Sequence, residues 1–260
     1  MANKSNKNSN QSSHKIPFPL ASLPAVLLPW YDREKRSLPW RDIVTPYRTW
    51  VSEIMLQQTR VQAVLPYFDR FMAAAPDVPA LAELAEDRLL SLWQGLGYYS
   101  RARSLQRSAR VMVDQYGGCL PNTYSDLIQL PGIGDYTAGA ILSIAFNKAV
   151  PAVDGNVLRI AARLTPCGDN VLDPRTRQHV RDALAAVMPT DRPGDFNQAM
   201  MELGATVCAP NGPPRCLECP AMAFCKGRLR GTAEDLPVKG AKKPRRVEEK
   251  TVFLLVRDGK

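Results

Sequence analysis

Two carboxylates and four thiols are the residues whose placement in this chain points to chemistry. Asp154 belongs to the stretch 130–160, LPGIGDYTAGAILSIAFNKAVPAVDGNVLRI. There Pro131, Gly132 and Gly134 stop one helix, and Asp135 is placed to cap the next. Ala138, Ile141, Leu142 and Ala145 give that next helix its apolar period. A glycine hairpin bares backbone N–H groups, and the helix N-terminus behind it is electropositive, so Gly132 and Gly134 suit a phosphate. Asp154 follows just before the helical pattern Val157–Leu164. It reads either as an ordinary N-cap in a connector or as a carboxylate set beside a grip on nucleic acid. Glu53 lies with Gln57 and Arg60 at i, i+4, i+7, which is one face of a helix. That face is either solvated surface or a carboxylate, an amide and a guanidinium offered to a ligand.

Cys208, Cys216, Cys219 and Cys225 follow the spacing C-x7-C-x2-C-x5-C, threaded with Pro210, Pro213, Pro214 and Pro220. Four thiolates in a short, stiff loop enclose either tetrahedral zinc or an iron–sulfur cube, and spacing alone does not choose between them. Cys119 and Cys167 lie far off in sequence and read as unliganded thiols.

The elements that must position these groups are helical. Thr45-Pro46 is a helix start, with Thr45 as N-cap. The pattern predicts a helix to about Ala63, with Tyr47, Trp50, Val51, Ile54, Val61 and Leu65 as its apolar stripe. Helices are expected over 69–75, 79–93, 101–116, 125–130, 157–164 and 174–188, and from Asp195 through Val207. Gln94–Tyr99 is a break with two glycines and two tyrosines. Behind it Arg101, Arg103, Arg107 and Arg110 make a basic helix face. Aromatics beside such a face suit nucleic acid, while the plainer reading is a loop whose tyrosines close over the core. No strand-like alternation precedes residue 251, so the fold class expected is all-α.

The bulk numbers agree. The chain has 260 residues, and 34 basic against 25 acidic residues give a net charge of +9, which favours a polyanionic partner. No apolar run reaches the length of a membrane span. Residues 1–15 are polar and low in complexity, and disorder is expected there. The apolar patch at 16–30 is broken by Pro17, Pro19, Pro24 and Pro29 and is not read as an export signal. The protein is therefore expected in the cytoplasm, without a disulfide framework. Residues 231–249 read as a basic linker, and Thr251–Val256 as a lone strand signal.

Together these pieces resemble the helix-hairpin-helix DNA glycosylases, specifically the MutY-type adenine DNA glycosylases. The resemblance rests on LPWR (38–41), SEIMLQQT (52–59), GLGYYSRAR (95–103), LPGIGDYTAGAI (130–141), VDGNVLR (153–159), FNQAMMELGA (196–205) and the four cysteines, in this order. It implies a six-helix barrel domain over 38–148 with the helix-hairpin-helix. It also implies an iron–sulfur helical domain from 16–37 and 149–230, with a cleft between the two. Residues 250–260 would begin a C-terminal domain. Glu53 and Asp154 would face the cleft. Arg41, Leu56 and Glu53 would line the pocket for an extruded adenine, with Tyr136 and Asn156 nearby. Tyr98 would wedge into the duplex with Gln58 beside it. Cys208, Cys216, Cys219 and Cys225 would hold one 4Fe–4S cluster, although seven residues separate the first two cysteines where the family usually has six.

The implied activity is base-excision repair of adenine mispaired with 8-oxoguanine or guanine, by a monomer acting on double-stranded DNA in a bacterial-type cell. Glycosidic cleavage wants one protonated and one ionised carboxyl. Glu53, raised by burial, would protonate the base, and Asp154, at a helix N-terminus, would stabilise the sugar cation. Relatives with lyase activity carry a lysine where this chain has Tyr136, so hydrolysis alone is expected. The alternatives are an endonuclease III-like glycosylase/lyase for oxidised pyrimidines, or a non-catalytic DNA-binding protein with a structural metal.

Overall fold

The computed structural model describes residues 18–166, 168–240, 248–249 and 251. The expectations for residues 1–15, for Cys167 and for most of the strand signal at 251–256 lie outside the described residues. All regular structure among the described residues is helical, in accord with the all-α expectation. In chain order the helices are α1 (Phe18–Ala21), α2 (Leu23–Glu34), α3 (Pro39–Asp42), α4 (Pro46–Leu56) and α5 (Val61–Ala74). Then come α6 (Val78–Glu83), α7 (Glu86–Trp93), α8 (Ser100–Tyr116), α9 (Tyr124–Leu127) and α10 (Asp135–Phe146). The last are α11 (Gly155–Leu164), α12 (Pro174–Ala185), α13 (Pro193–Thr206) and α14 (Lys226–Leu229).

Local chemistry sets several of these limits. Thr45 caps α4 by accepting from Arg48 N at 3.1 Å, and Pro46 opens the helix. Asp77 caps α6 by accepting from Ala80 N at 2.9 Å. Gly117, at φ 60°, closes α8 in the left-handed conformation that glycine adopts without strain.

Elsewhere tertiary contacts override the periodic pattern. The helix expected to run to Ala63 stops at Leu56, and α5 begins at Val61. Arg101 donates to the carbonyls of Ile54, Met55 and Gln57, so these acceptors are taken from the side instead of by a continuing helix. Glu53, Gln57 and Arg60 therefore do not share a helix face. The helix expected over 79–93 is two, parted at Leu84, whose carbonyl accepts from Gln106 Nε2. Gly134, not Asp135, is the N-cap of α10, and Arg192, not Asp195, that of α13.

Two sets of buried side chains form the interior. One runs from Leu38 to Leu142 and includes Trp50, Phe68, Phe71 and Trp93. The other joins Leu20–Tyr31 to Val153–Cys225 and includes Leu23, Leu158 and Phe196. Helix α10 packs on α4 from the first set and on α13 from the second. Seven consecutive residues, Thr137 to Ser143, are buried in it, as expected of a helix covered on every side. Small residues allow the close approach: a Cβ on Gly139 would lie 2.5 Å from the Pro151 carbonyl oxygen, and one on Gly194 2.7 Å from that of Ser143. Asn197 pins the segment after α10, accepting from Ala152 N at 3.1 Å and donating to Val150 O at 2.9 Å. That segment delivers Asp154 to the start of α11.

Candidate active site

A cleft of about 520 Å³ opens between the two sets, lined by α3, α4, α10, α13 and the start of α11. Glu53, Asp154, Tyr136, Asn156, Arg41 and Leu56 all line it. The resemblance implied that these six belong together, and the fold brings them to one cleft from segments far apart in the chain.

Glu53 sits in the middle of α4, flanked by the buried side chains Trp50 and Ile54, and is 6% exposed. Burial pushes its carboxyl up from 4.5 to about 7. The nearby Asp154 charge adds to this rise, while a hydrogen bond from the Tyr136 phenol and the Arg41 charge oppose it. A group so poised is part protonated at neutral pH, which is what a general acid requires.

Asp154 is the N-cap of α11, as its position in the sequence suggested. Its Oδ1 accepts from Val157 N at 2.8 Å and its Oδ2 from Asn156 Nδ2 at 2.8 Å. Both oxygens thus act as acceptors, which fixes the plane of the carboxylate at the mouth of the helix. Asn156 is held in turn: its Oδ1 accepts from Arg159 Nη2 at 2.8 Å. Arg159, 7% exposed, also donates to Gly204 O at 2.9 Å and to Cys208 O at 2.8 Å. The side chains of Arg159 and Asn156 therefore link the first cysteine of the cluster to Asp154. Tyr136 projects from the first turn of α10, with its hydroxyl 3.5 Å from Met201 Sδ. Burial, and then the neighbouring carboxylates, drive its phenol well above its ordinary value, so it remains protonated and donates.

Sequence reasoning missed the acid beneath the arginines. Glu202 of α13 is fully buried and accepts from Arg36 Nη2 at 3.1 Å and Arg41 Nη2 at 2.9 Å. Burial raises its carboxyl, but the two guanidinium groups outweigh this and hold it below its ordinary value. Arg41 spends its other donors on Gln198 Oε1 and Arg36 O, both at 3.0 Å, and so is rigidly placed in the cleft wall. The available signal was Gln198 and Glu202 at i, i+4 in FNQAMMELGA, which places both on one helix face.

Gln58, Tyr98, Gly132 and Gly134 are absent from the cleft lining and lie on loops outside it. Gln58 and Tyr98 are exposed, and both are non-glycine residues in the left-handed region, at φ 57° and 47°. Gly132 is left-handed at φ 83°, as the hairpin demands. Of the expected basic face on α8, Arg103, Arg107 and Arg110 are exposed, and Arg101 is the one turned inward. Arg101 is buried, Arg103 pairs with Glu86 at 2.7 Å, and Arg110 donates to Ala82 O at 3.2 Å.

Cys208, Cys216, Cys219 and Cys225 line one small cavity with Arg163 and Arg228. Arg163 Nη1 donates to Cys208 Sγ at 3.2 Å, and burial pushes the Cys219 thiol up to about 12. Among the described residues no group of three or more His, Cys, Asp or Glu closes round a point as ligands of a single metal ion do.

This geometry can be set against known proteins. Residues 51–187 match the family model described as the HhH-GPD superfamily base excision DNA repair protein. The chain is 46% identical over 213 residues to an adenine DNA glycosylase of Mus musculus and 45% identical over 224 residues to one of Homo sapiens. These alignments cover 78% and 83% of the chain but 41% of each relative, so the chain spans about two fifths of their length. An adenine DNA glycosylase of Buchnera aphidicola subsp. Schizaphis graminum is 36% identical, with 89% of this chain and 67% of that protein covered. Among solved structures, a thermostable thymine-DNA glycosylase superposes with TM-score 0.75 at 25% identity, covering 82% of this chain and 97% of that one. A trapped endonuclease III–DNA covalent intermediate superposes with TM-score 0.67 at 22% identity, covering 82% and 98%. The family match over residues 51–187, with the helical fold those structures share, assigns the chain: it belongs to the HhH-GPD superfamily of base excision DNA repair proteins.

Proposed function

We propose that this chain is a DNA glycosylase that hydrolyses the N-glycosidic bond of adenine mispaired with 8-oxoguanine or guanine in double-stranded DNA. The observation that carries the reading is Glu53, a buried carboxyl raised to about 7, sharing one cleft with Asp154. The curated relatives at 36–46% identity supply the base. Glycosidic cleavage calls for two carboxyls, one to protonate the leaving base and one to face the sugar cation.

In this mechanism Glu53 gives its proton to a ring nitrogen of the extruded adenine. The bond from sugar to base then breaks, its electron pair leaves with the neutral base, and positive charge develops on the sugar. The Asp154 carboxylate faces that charge, held in place by Val157 N and Asn156. Water adds at the sugar carbon, and Glu53, now ionised, takes up its proton. Arg41 and Leu56 hold the base, and the buried Glu202 fixes Arg41. The hairpin at Gly132 and Gly134 takes a phosphate on its backbone N–H groups. Tyr98 and Gln58 enter the duplex as the base leaves it.

Lyase chemistry needs an amine for a Schiff base. Tyr136 occupies that place, and no lysine is among the residues lining the cleft. The protein is therefore read as a hydrolase only, and borohydride should trap no covalent adduct.

The two buried sets support a division into a barrel domain, 38–148, and a second helical domain from 16–37 and 149–230. The four cysteines line one small cavity and offer only sulfur donors, a set that suits an iron–sulfur cluster or zinc, and the resemblance to the MutY-type glycosylases is what favours one 4Fe–4S cluster. The cluster, when bound, cross-links the 208–225 loop, and the cleavage steps do not pass through it. Iron and sulfide analysis of purified protein tests this, and stoichiometric zinc would refute it. The activity is tested by incubating the protein with a labelled duplex carrying adenine opposite 8-oxoguanine, followed by alkali. Cleavage at the adenine supports the proposal, and an intact strand refutes it.

A further inference from the structure

We propose that Arg101 is a positioning residue that locks the loops 57–60 and 95–99 in one register, so that Gln58 and Tyr98 enter DNA as a single rigid wedge. The proposal rests on the function proposed above. Arg101 is 8% exposed, at the second position of α8. Its Nη1 donates to Ile54 O at 3.1 Å, to Met55 O at 2.8 Å and to Gln57 O, and so grips the end of α4 and the start of the first loop. Its Nη2 donates to Thr59 Oγ1 at 3.1 Å in the first loop, and to Leu96 O at 3.1 Å and Gly97 O at 3.2 Å in the second. One planar group thus bridges two loops about forty residues apart in the chain. The same guanidinium lies 5.5 Å from the centre of the Trp93 ring and 5.6 Å from that of Tyr98.

What is tethered matters more than the tether. Gln58 and Tyr98, both exposed and one on each loop, hold the left-handed conformation that such residues keep only where their surroundings over-determine it. Tyr98 is 61% exposed. Gln57 carries the same connection to the hairpin, donating to Gly132 O at 3.3 Å, and Ser108 of α8 donates to Pro131 O at 2.7 Å. Arg101 and Ser108, at i and i+7, lie on one face of α8, and that face holds all three loops that the proposed function aims at DNA. A lysine cannot reproduce this, because its ammonium is a single point and does not span two loops.

The test compares single-turnover adenine release from two duplexes, one with adenine opposite guanine and one with adenine opposite an abasic-site analogue, where no pairing resists extrusion. In Arg101→Lys the first rate should fall on the order of tenfold to a hundredfold, as for a misplaced positioning group, with the second changed by no more than about twofold. In a Gln58→Ala/Tyr98→Ala background Arg101→Lys should cause no further loss, because its effect runs through those side chains. Equal losses on the two duplexes, or losses that add in the double-variant background, overturn the proposal. Thr59→Val removes one acceptor and leaves the guanidinium in place. It should show the same selective loss at smaller size, and it decides the question if Arg101→Lys does not fold. Unmodified protein that releases no base from either duplex overturns the proposed function and this proposal with it. Release with unselective losses overturns this proposal alone.

Discussion

Replacing Glu53 with glutamine should stabilise the protein while ending base release. Glu53 is 6% exposed and its carboxyl is raised from 4.5 to about 7, with burial as the leading cause. The native state therefore binds a proton that the unfolded chain has released between those two pH values. The sign follows: stability contributed by protonated Glu53 is full below pH 4.5, declines as pH rises, and is gone above pH 7. The 2.5-unit gap between 4.5 and about 7 corresponds to about 3 kcal/mol. Glutamine keeps the shape of the protonated acid and does not ionise. At pH 4 the two proteins should melt together. At pH 8 Glu53→Gln should be more stable by about 3 kcal/mol, which is roughly 6–12 °C in Tm for a chain of this size. Thermal melts of both proteins at each half unit from pH 4 to pH 8 measure the difference. A difference that stays constant with pH, or grows toward acid, refutes the buried-acid assignment. The same carboxyl predicts that kcat/KM falls as pH rises through 7 in the unmodified protein, because the free enzyme then loses its acid.

Tyr136→Phe removes the phenol whose hydrogen bond lowers the Glu53 carboxyl, so the alkaline limb of kcat/KM should move to higher pH, and a shift to lower pH contradicts the arrangement. Arg159→Gln leaves Asn156 Oδ1, Gly204 O and Cys208 O short of buried donors. It should cost about 1–3 kcal/mol in a melt and slow adenine release about tenfold, with unchanged rates excluding the link from the cysteine loop to Asp154. A Cβ on Gly204 would lie 2.5 Å from Asn156 Cβ. Gly204→Ala should therefore push Asn156 off Asp154 and destabilise by about 1–3 kcal/mol, and a crystal structure with the Asp154–Asn156 bond intact would contradict this.

What was legible in the sequence was what short-range chemistry decides. Asp154 reads as an N-cap because its partner, Val157 N, is three residues away. The hairpin reads from Pro131, Gly132 and Gly134, and Gly132 takes the left-handed conformation that a glycine adopts without strain. Glu53 stood out by its motif, but its burial depends on α4 being covered by α10, which no local pattern encodes. Arg101 was read as part of a basic surface because Arg101, Arg103, Arg107 and Arg110 crowd one helix. Its guanidinium turns inward to carbonyls some forty-five residues earlier, and those contacts in turn end α4 at Leu56, where periodicity ran on. Glu202 was missed for the same reason, since its partners Arg36 and Arg41 lie about 160 residues away.

Under the proposed function Glu53 and Asp154 cleave the bond between adenine and deoxyribose. The most direct measurement uses end-labelled duplexes with adenine opposite 8-oxoguanine, guanine or thymine, treated with the protein or with Glu53→Gln and split into samples with and without hot alkali. Strands should be cleaved at the adenine opposite 8-oxoguanine and guanine, only after alkali, with Glu53→Gln inactive but still retarding the duplex in a gel. Adenine release by Glu53→Gln, or strand cleavage without alkali, would contradict the proposed function.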